Sequence, residues 1–223
     1  MPRHLALLRL SLFGTFALCL LLALAAASDL DFSHLRQSLI SRFGEKPLIL
    51  FNDWQAMLTS KQSLSEKEKL REVNNFFNQH IAFDDDISIW GQSDYWATPL
   101  ETIGNSRGDC EDFSIAKYYS LLSLGVPVNK LRLVYVRARL NGPGGAVLQA
   151  HMVLAYYAAP TAEPLVLDNL KPEILPASSR ADLSPIFSFN SAGLWQGTGN
   201  QSSKSNLSRW QDLLIRARAE GFQ

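Results

Sequence analysis

Cysteine is nearly absent from this sequence, with two in 223 residues, Cys19 and Cys110. Cys19 lies in an N-terminal segment that the mature protein is expected to lose. No intramolecular disulfide can then form, and stability in an oxidising compartment must come from packing or from a bound ion. An excess of charge of one sign is also lacking, since 21 basic residues face 21 acidic ones. Loss of Arg3 and Arg9 with the leader makes the remainder slightly acidic. That balance excludes nucleic acid and anionic membrane surfaces as obvious partners. Internal repeats are missing as well, so no solenoid or array is expected.

Residues 1–27 are laid out as a secretory signal peptide. Arg3 and Arg9 supply the positive start, Leu10 to Leu24 the apolar stretch, and Ala23, Ala25 and Ala27 the small residues a peptidase needs. Cleavage after Ala25 or Ala27 fits, the latter leaving Ser28 first. The apolar core is short for a permanent span, and Leu18 before Cys19 is a poor lipoprotein context. The expectation is a soluble, exported protein with one domain over 28–223, whose 47% hydrophobic content is enough to build a core.

Helical spacing predicts helices over Asp29–Phe43, Pro47–Leu58 and Ser65–His80, the third opened by the capping pair Ser65 and Glu68. Residues 81–108 read mostly as loop, rich in acids and in the aromatics Trp90, Tyr95 and Trp96. At least one of those three is expected to line a cleft entrance or a partner surface. Cys110 to Leu124 reads as a helix that is largely buried with an exposed N-terminus, stopped by Gly125 and Pro127. The period then changes to that of strands over Leu131–Leu140, Ala146–Tyr157 and Leu165–Asp168, the first two joined by the hairpin loop Asn141-Gly142-Pro143-Gly144-Gly145. Gly197–Asn206 reads as a linker, and 207–220 as an amphipathic helix carrying Leu207, Trp210, Leu213 and Leu214. Helices first, then a buried helix, then an antiparallel meander make an α+β domain.

Chemistry concentrates at Gly108-Asp109-Cys110-Glu111-Asp112, where a glycine turn hands over to the buried helix. A helix N-terminus favours a thiolate and offers free N–H groups to an oxyanion. Three histidines survive processing: His34, His80 and His151. His151 lies on a strand expected to pack against the cysteine helix, which makes it the best base. Asp168 ends the next strand and can fix the imidazole tautomer, with Asn169 a weaker substitute. Taken singly, a strand histidine is more often structural than catalytic; the ordered set of Cys110, His151 and Asp168 favours a nucleophile, a base and an orienting acid. The acids Asp109, Glu111 and Asp112 raise a conflict. First-turn carboxylates usually just complement the helix dipole, but here they would oppose thiolate formation. A hard divalent cation, calcium before zinc, would relieve it.

Together with Asp94-Tyr95-Trp96-Ala97-Thr98-Pro99-Leu100-Glu101, His151-Met152-Val153-Leu154 and Leu167-Asp168-Asn169-Leu170, this motif resembles the bacterial transglutaminase-like cysteine proteinases over roughly 65–195. The nearest type is the periplasmic protease of biofilm control. The resemblance implies a papain-like, transglutaminase-type fold, a triad of Cys110, His151 and Asp168, and calcium dependence through Asp109 and Glu111 with Asp112 adjacent. It also implies a substrate and a regulator. The substrate is the N-terminal region of a very large surface adhesin, cut at a di-alanine site and so released from the outer membrane. The regulator is the periplasmic domain of an inner-membrane cyclic di-GMP receptor, which sequesters the protease. A protein-glutamine transglutaminase would use the same triad and differ only in whether an amine or water resolves the thioester. A non-catalytic binding module on the same fold is the third alternative.

Overall fold

The computed structural model describes residues 30–142, 145–199, 202–203 and 207–222. The leader 1–27, with Arg3, Arg9 and Cys19, and the hairpin residues Pro143 and Gly144 lie outside the described residues. Helix α1 (Phe32–Phe43) starts where the Asp31 carboxylate accepts the Ser33 and His34 N–H groups, and α2 (Leu48–Ser60) follows Pro47. Helix α3 (Glu66–His80) opens on the expected capping box, with Ser65 and Glu68 each bonding the other's backbone N–H.

The stretch 81–108 departs from its reading as loop. It holds β1 (Ala82–Phe83), α4 (Asp86–Trp90), α5 (Pro99–Asn105) and β2 (Arg107–Gly108), with β1 and β2 paired in parallel. The reason is local: Thr98 caps α5, Pro99 presets its first turn, and Glu101 closes a second capping box. Thr98 is fully buried, so Thr98→Ala should cost about 1–2 kcal/mol, read as a lower urea midpoint with an unchanged slope. Of the three loop aromatics, Trp96 is a core residue, 7% exposed and stacked on Phe189. Trp90 and Tyr95 are half-buried and tilt against each other, and the Arg216 guanidinium lies over the Tyr95 ring.

Helix α6 (Cys110–Ser123) is the centre of the molecule, with every residue from Asp112 to Leu121 buried. Leu124 caps it and Gly125, at φ +81°, makes the left-handed turn that ends it. After a 3-10 turn at Val128–Lys130 come β3 (Leu131–Gly142) and β4 (Gly145–Tyr156), a long hairpin. Then follow β5 (Leu165–Leu167), β6 (Leu175–Pro176), β7 (Leu183–Asn190), β8 (Gly193–Gln196), β9 (Ser202–Ser203) and α7 (Ser208–Glu220). The sheet order is β6-β5-β4-β3-β7-β8-β9, antiparallel throughout. The expected meander β3–β4–β5 is therefore one half of a larger sheet, and β9 lies inside the stretch read as a linker.

One sheet face carries Leu131, Leu133, Met152, Leu154, Leu167 and Phe189 into the main core, which also takes in α6 and the aromatic cluster around Trp54 and Trp210. Full burial of each large apolar side chain contributes about 1.5–3 kcal/mol. Two polar groups that enter that core are met: the Trp54 indole donates to Ser120 Oγ at 2.9 Å, and Ser114 Oγ donates to the Met152 carbonyl at 3.0 Å. The second bond ties α6 to β4 next to His151. The opposite face holds a smaller cluster of Val134, Val136, Val153, Ala155 and Val166. Among the described residues no helix is long and apolar enough to cross a membrane.

Candidate active site

Strand β2 delivers the chain to Asp109, whose carboxylate accepts the Glu111 N–H at 3.2 Å and so caps α6. Gly108 is required by close approach: a Cβ there would stand 2.7 Å from the Asp112 Cβ and 2.8 Å from its Oδ2. Cys110 is the first helical residue and half-buried, and its thiol donates to Glu111 Oε2 at 2.7 Å. Burial pushes the thiol pKa up, the charges of Glu111 and Asp109 push it further, and only the Met152 backbone pulls the other way. Burial and the two charges favour the protonated thiol, whose S–H donates to the Glu111 carboxylate.

His151 and Asp168 meet as expected. His151 Nε2 lies 2.8 Å from Asp168 Oδ1, both side chains almost wholly buried. That pairing leaves Nδ1 as the nitrogen free for proton transfer. Burial alone would raise the Asp168 pKa, but the bond to His151, the Leu170 N–H at 3.0 Å and the Arg180 guanidinium at 2.6 Å outweigh it and bring it down to about 2. Asp168 sits just past β5, held in place also by Asn78, which donates to its backbone carbonyl. The rival histidines are elsewhere: His34 is in the first turn of α1, and His80 stacks on Phe76 and bonds its carbonyl. Arg180 was not legible beforehand; it stands in the polar run Ser178-Ser179-Arg180-Ala181-Asp182, which carries no spacing signal.

The acids do not all converge on one point. Oxygens of Asp86, Asp109 and Asp112 lie within 4.8 Å of one another, while Glu111 groups with Asp109 and the Cys110 sulfur. Asp86 is an addition to the set read from sequence. It closes the run Asp84-Asp85-Asp86, which looks like an ordinary solvated acidic stretch but is turned inward by α4, leaving Asp86 5% exposed. Asp112 Oδ1 accepts the Ala97 N–H at 2.8 Å and Asp86 Oδ2 accepts that of Tyr95, yet Asp112 Oδ2 and Asp86 Oδ1 are buried with no partner. None of Asp86, Asp109 and Asp112 forms an ion pair with lysine or arginine among the described residues. Burial first, then mutual repulsion, raises Asp86 to about 6 and Asp109 to about 9, and raises Asp112 as well. Unpaired carboxylates, orphaned buried oxygens and a glycine that makes room for one of them suit a hard cation that takes oxygen ligands.

The sign of these shifts sets a pH dependence. A carboxyl whose folded pKa is raised stabilises the fold below its unfolded value near 4 and loses that contribution as pH rises through the folded value. Asp168 does the reverse, losing its contribution as pH falls from near 4 towards about 2. In chelator the melting temperature should therefore peak at about pH 4 and fall as pH rises from there, and Asp86→Asn should raise it at pH 8 by removing one like charge. Thermal melts across that range check both expectations.

The family model described as "Bacterial transglutaminase-like cysteine proteinase BTLCP" matches residues 52–183, more than half of the chain. The match spans Cys110, His151, Asp168 and Arg180. Calcium-bound LapG of Legionella pneumophila is 39% identical, with 83% of this chain and 98% of that chain covered at a TM-score of 0.70. The EGTA-treated form of the same protein is 38% identical, with 83% and 96% covered and a TM-score of 0.70. No curated protein sequence matches.

Proposed function

Because the chain belongs to the bacterial transglutaminase-like cysteine proteinases, we propose that Cys110 is its nucleophile, His151 its base and Asp168 the acid that orients the base. The buried 2.8 Å contact between His151 Nε2 and Asp168 Oδ1 is the observation that carries the assignment. In this reading Nδ1 takes the thiol proton and the sulfur attacks a peptide carbonyl. The Cys110 N–H, at the helix start where no intrahelical acceptor exists, faces the developing oxyanion. The imidazolium returns its proton to the leaving amine, and water then resolves the thioester.

The protease is calcium-dependent, with Asp86, Asp109 and Asp112 holding the ion and Glu111 at its edge. A bound calcium would supply positive charge beside these acids and so favour the thiolate of Cys110 over the thiol that now donates to Glu111. The LapG relative exists in calcium-bound and EGTA-treated forms, which supports the same ion here. The protein acts in the periplasm on the N-terminal region of a large surface adhesin, at a di-alanine site, and its release of that adhesin disperses biofilm. A cyclic di-GMP receptor withholds it by binding through its periplasmic domain.

The test is incubation of the mature protein with the host's outer-membrane adhesins, with calcium or with chelator. A new adhesin N-terminus that forms only with calcium is expected. An intact adhesin, together with ammonia released from a glutamine peptide, would overturn the reading in favour of transglutamination.

A further inference from the structure

Asp168 touches more than its histidine. Arg180 leaves the 3-10 turn Ala177–Ser179 as its cap residue, 3% exposed, and places Nη2 2.6 Å from Asp168 Oδ2. The same guanidinium is forked onto Asp182, with Nε 3.1 Å from Oδ1 and Nη2 2.8 Å from Oδ2, and Lys171 Nζ lies 3.5 Å from Asp182 Oδ1. A chain of alternating charge thus runs from Asp168, the partner of His151, through Arg180 and Asp182 to Lys171 at the surface. The two oxygens of Asp168 are divided, Oδ1 to His151 and Oδ2 to Arg180.

Taking two charges out of water costs about as much as their mutual attraction returns, so a buried ion pair is a poor device for packing alone. Its geometry gives it a use. A guanidinium fixed at two points stops the carboxylate from rotating, and its charge offsets the pull of Asp168 on the imidazole. We propose that Arg180 is a positioning residue for the proteolysis assigned above: it anchors Asp168 so that Oδ1 stays on His151 Nε2, and it offsets the pull of that carboxylate on the imidazole that accepts the thiol proton. The inference rests on His151 being the base.

The other groups that face Asp168 are the Leu170 N–H and Lys117. Lys117 is 1% exposed on α6, over the Phe113 ring at 5.7 Å, and burial lowers its pKa to about 7 against the opposing pull of Asp168. It is a second cation near the acid, and it makes no ion pair within 4 Å among the described residues. Of these two cations, Arg180 is the one that bonds the carboxylate.

The experiment follows the His151 imidazole by NMR titration in the mature, calcium-supplemented Cys110→Ala protein, where no thiol couples to it. Arg180→Gln should raise the His151 pKa by about one unit or more, because an adjacent positive charge is lost. Arg180→Lys should raise it less. Asp182→Asn should lower it, since Arg180 then bears on Asp168 alone. Opposite signs for the two substitutions are what a purely structural role would not give. The Arg180 effect should persist in Lys117→Met, and its disappearance there would assign the effect to Lys117 and overturn the proposal.

In protein with Cys110 intact, cleavage of an N-terminal fragment of the host adhesin should lose about tenfold or more in kcat in Arg180→Gln with KM little changed, partly restored in Arg180→Lys. If Arg180→Gln fails to fold, Arg180→Lys and Asp182→Asn still report the opposite shifts. An unchanged His151 titration with only a lower melting temperature overturns the proposal. The titration needs no substrate, so the expected shifts without cleavage of the adhesin fragment would support the role of Arg180 and count against the substrate alone.

Discussion

Cys110→Ala should reduce cleavage by on the order of 10⁴-fold or more while leaving the fold intact. The thiol is small and half-buried at a helix start, and its side-chain hydrogen bond goes to the neighbouring Glu111 and ties down no other element. Cys110→Ser should fail almost as completely, because a hydroxyl is far harder to ionise at the same helix terminus. His151→Ala should be comparably severe. Asp168→Asn is the informative case. It should lower the rate by spoiling the tautomer and also melt early, since Arg180 loses its buried partner at 2.6 Å. The measurement is cleavage of the adhesin fragment and circular dichroism on the same preparations. Robust proteolysis by purified Cys110→Ala would sink the cysteine-protease assignment.

The parts of this site that could be read beforehand are those whose chemistry is local in sequence. The cap, nucleophile and first-turn acids lie within Asp109–Asp112, and the buried helix behind them announces itself by having almost no polar face. His151 and Asp168 could be read because each lies on or just past a strand of high β-propensity, and consecutive antiparallel strands are neighbours. Arg180 and Asp86 could not. Each gains its role from a turn that folds a polar run inward, and a polar run carries no mark of which member is buried. The outer sheet was hidden for another reason. Strand β7 contains Pro185, opposite Val136 where the register with β3 shifts, and a proline within an apolar run demotes it as a strand. The irregularity that lets β7 pair is the feature that disguises it. For α5 the signal was present in Thr98-Pro99-Leu100-Glu101, but the surrounding aromatics and acids drew the reading towards loop.

Removal of calcium should cut the cleavage rate by an order of magnitude or more, and the acids explain why without any change of fold. With the cation absent, Asp86, Asp109 and Asp112 repel one another around two unpartnered buried oxygens, and Glu111 accepts the hydrogen bond of the Cys110 thiol. Every one of those terms disfavours a thiolate. Calcium, and not magnesium, should restore the rate, because the donors are carboxylates of unequal depth rather than an octahedral set, and magnesium dehydrates reluctantly. Occupancy should also stabilise the protein, by about 2.7 kcal/mol at a hundredfold excess over the dissociation constant. In a chain of this size that is a rise of roughly 5–10 °C in melting temperature. Asp86→Asn separates this account from a dipole effect. Asp86 belongs to α4 and lies outside the first turn of α6, so a macrodipole role for the acids predicts no consequence there. As a ligand, its loss should weaken the calcium response of both melting temperature and rate, while raising stability in chelator. If decalcified protein responds to calcium in neither measurement, the acids serve only the helix terminus and the ion has no place in the mechanism.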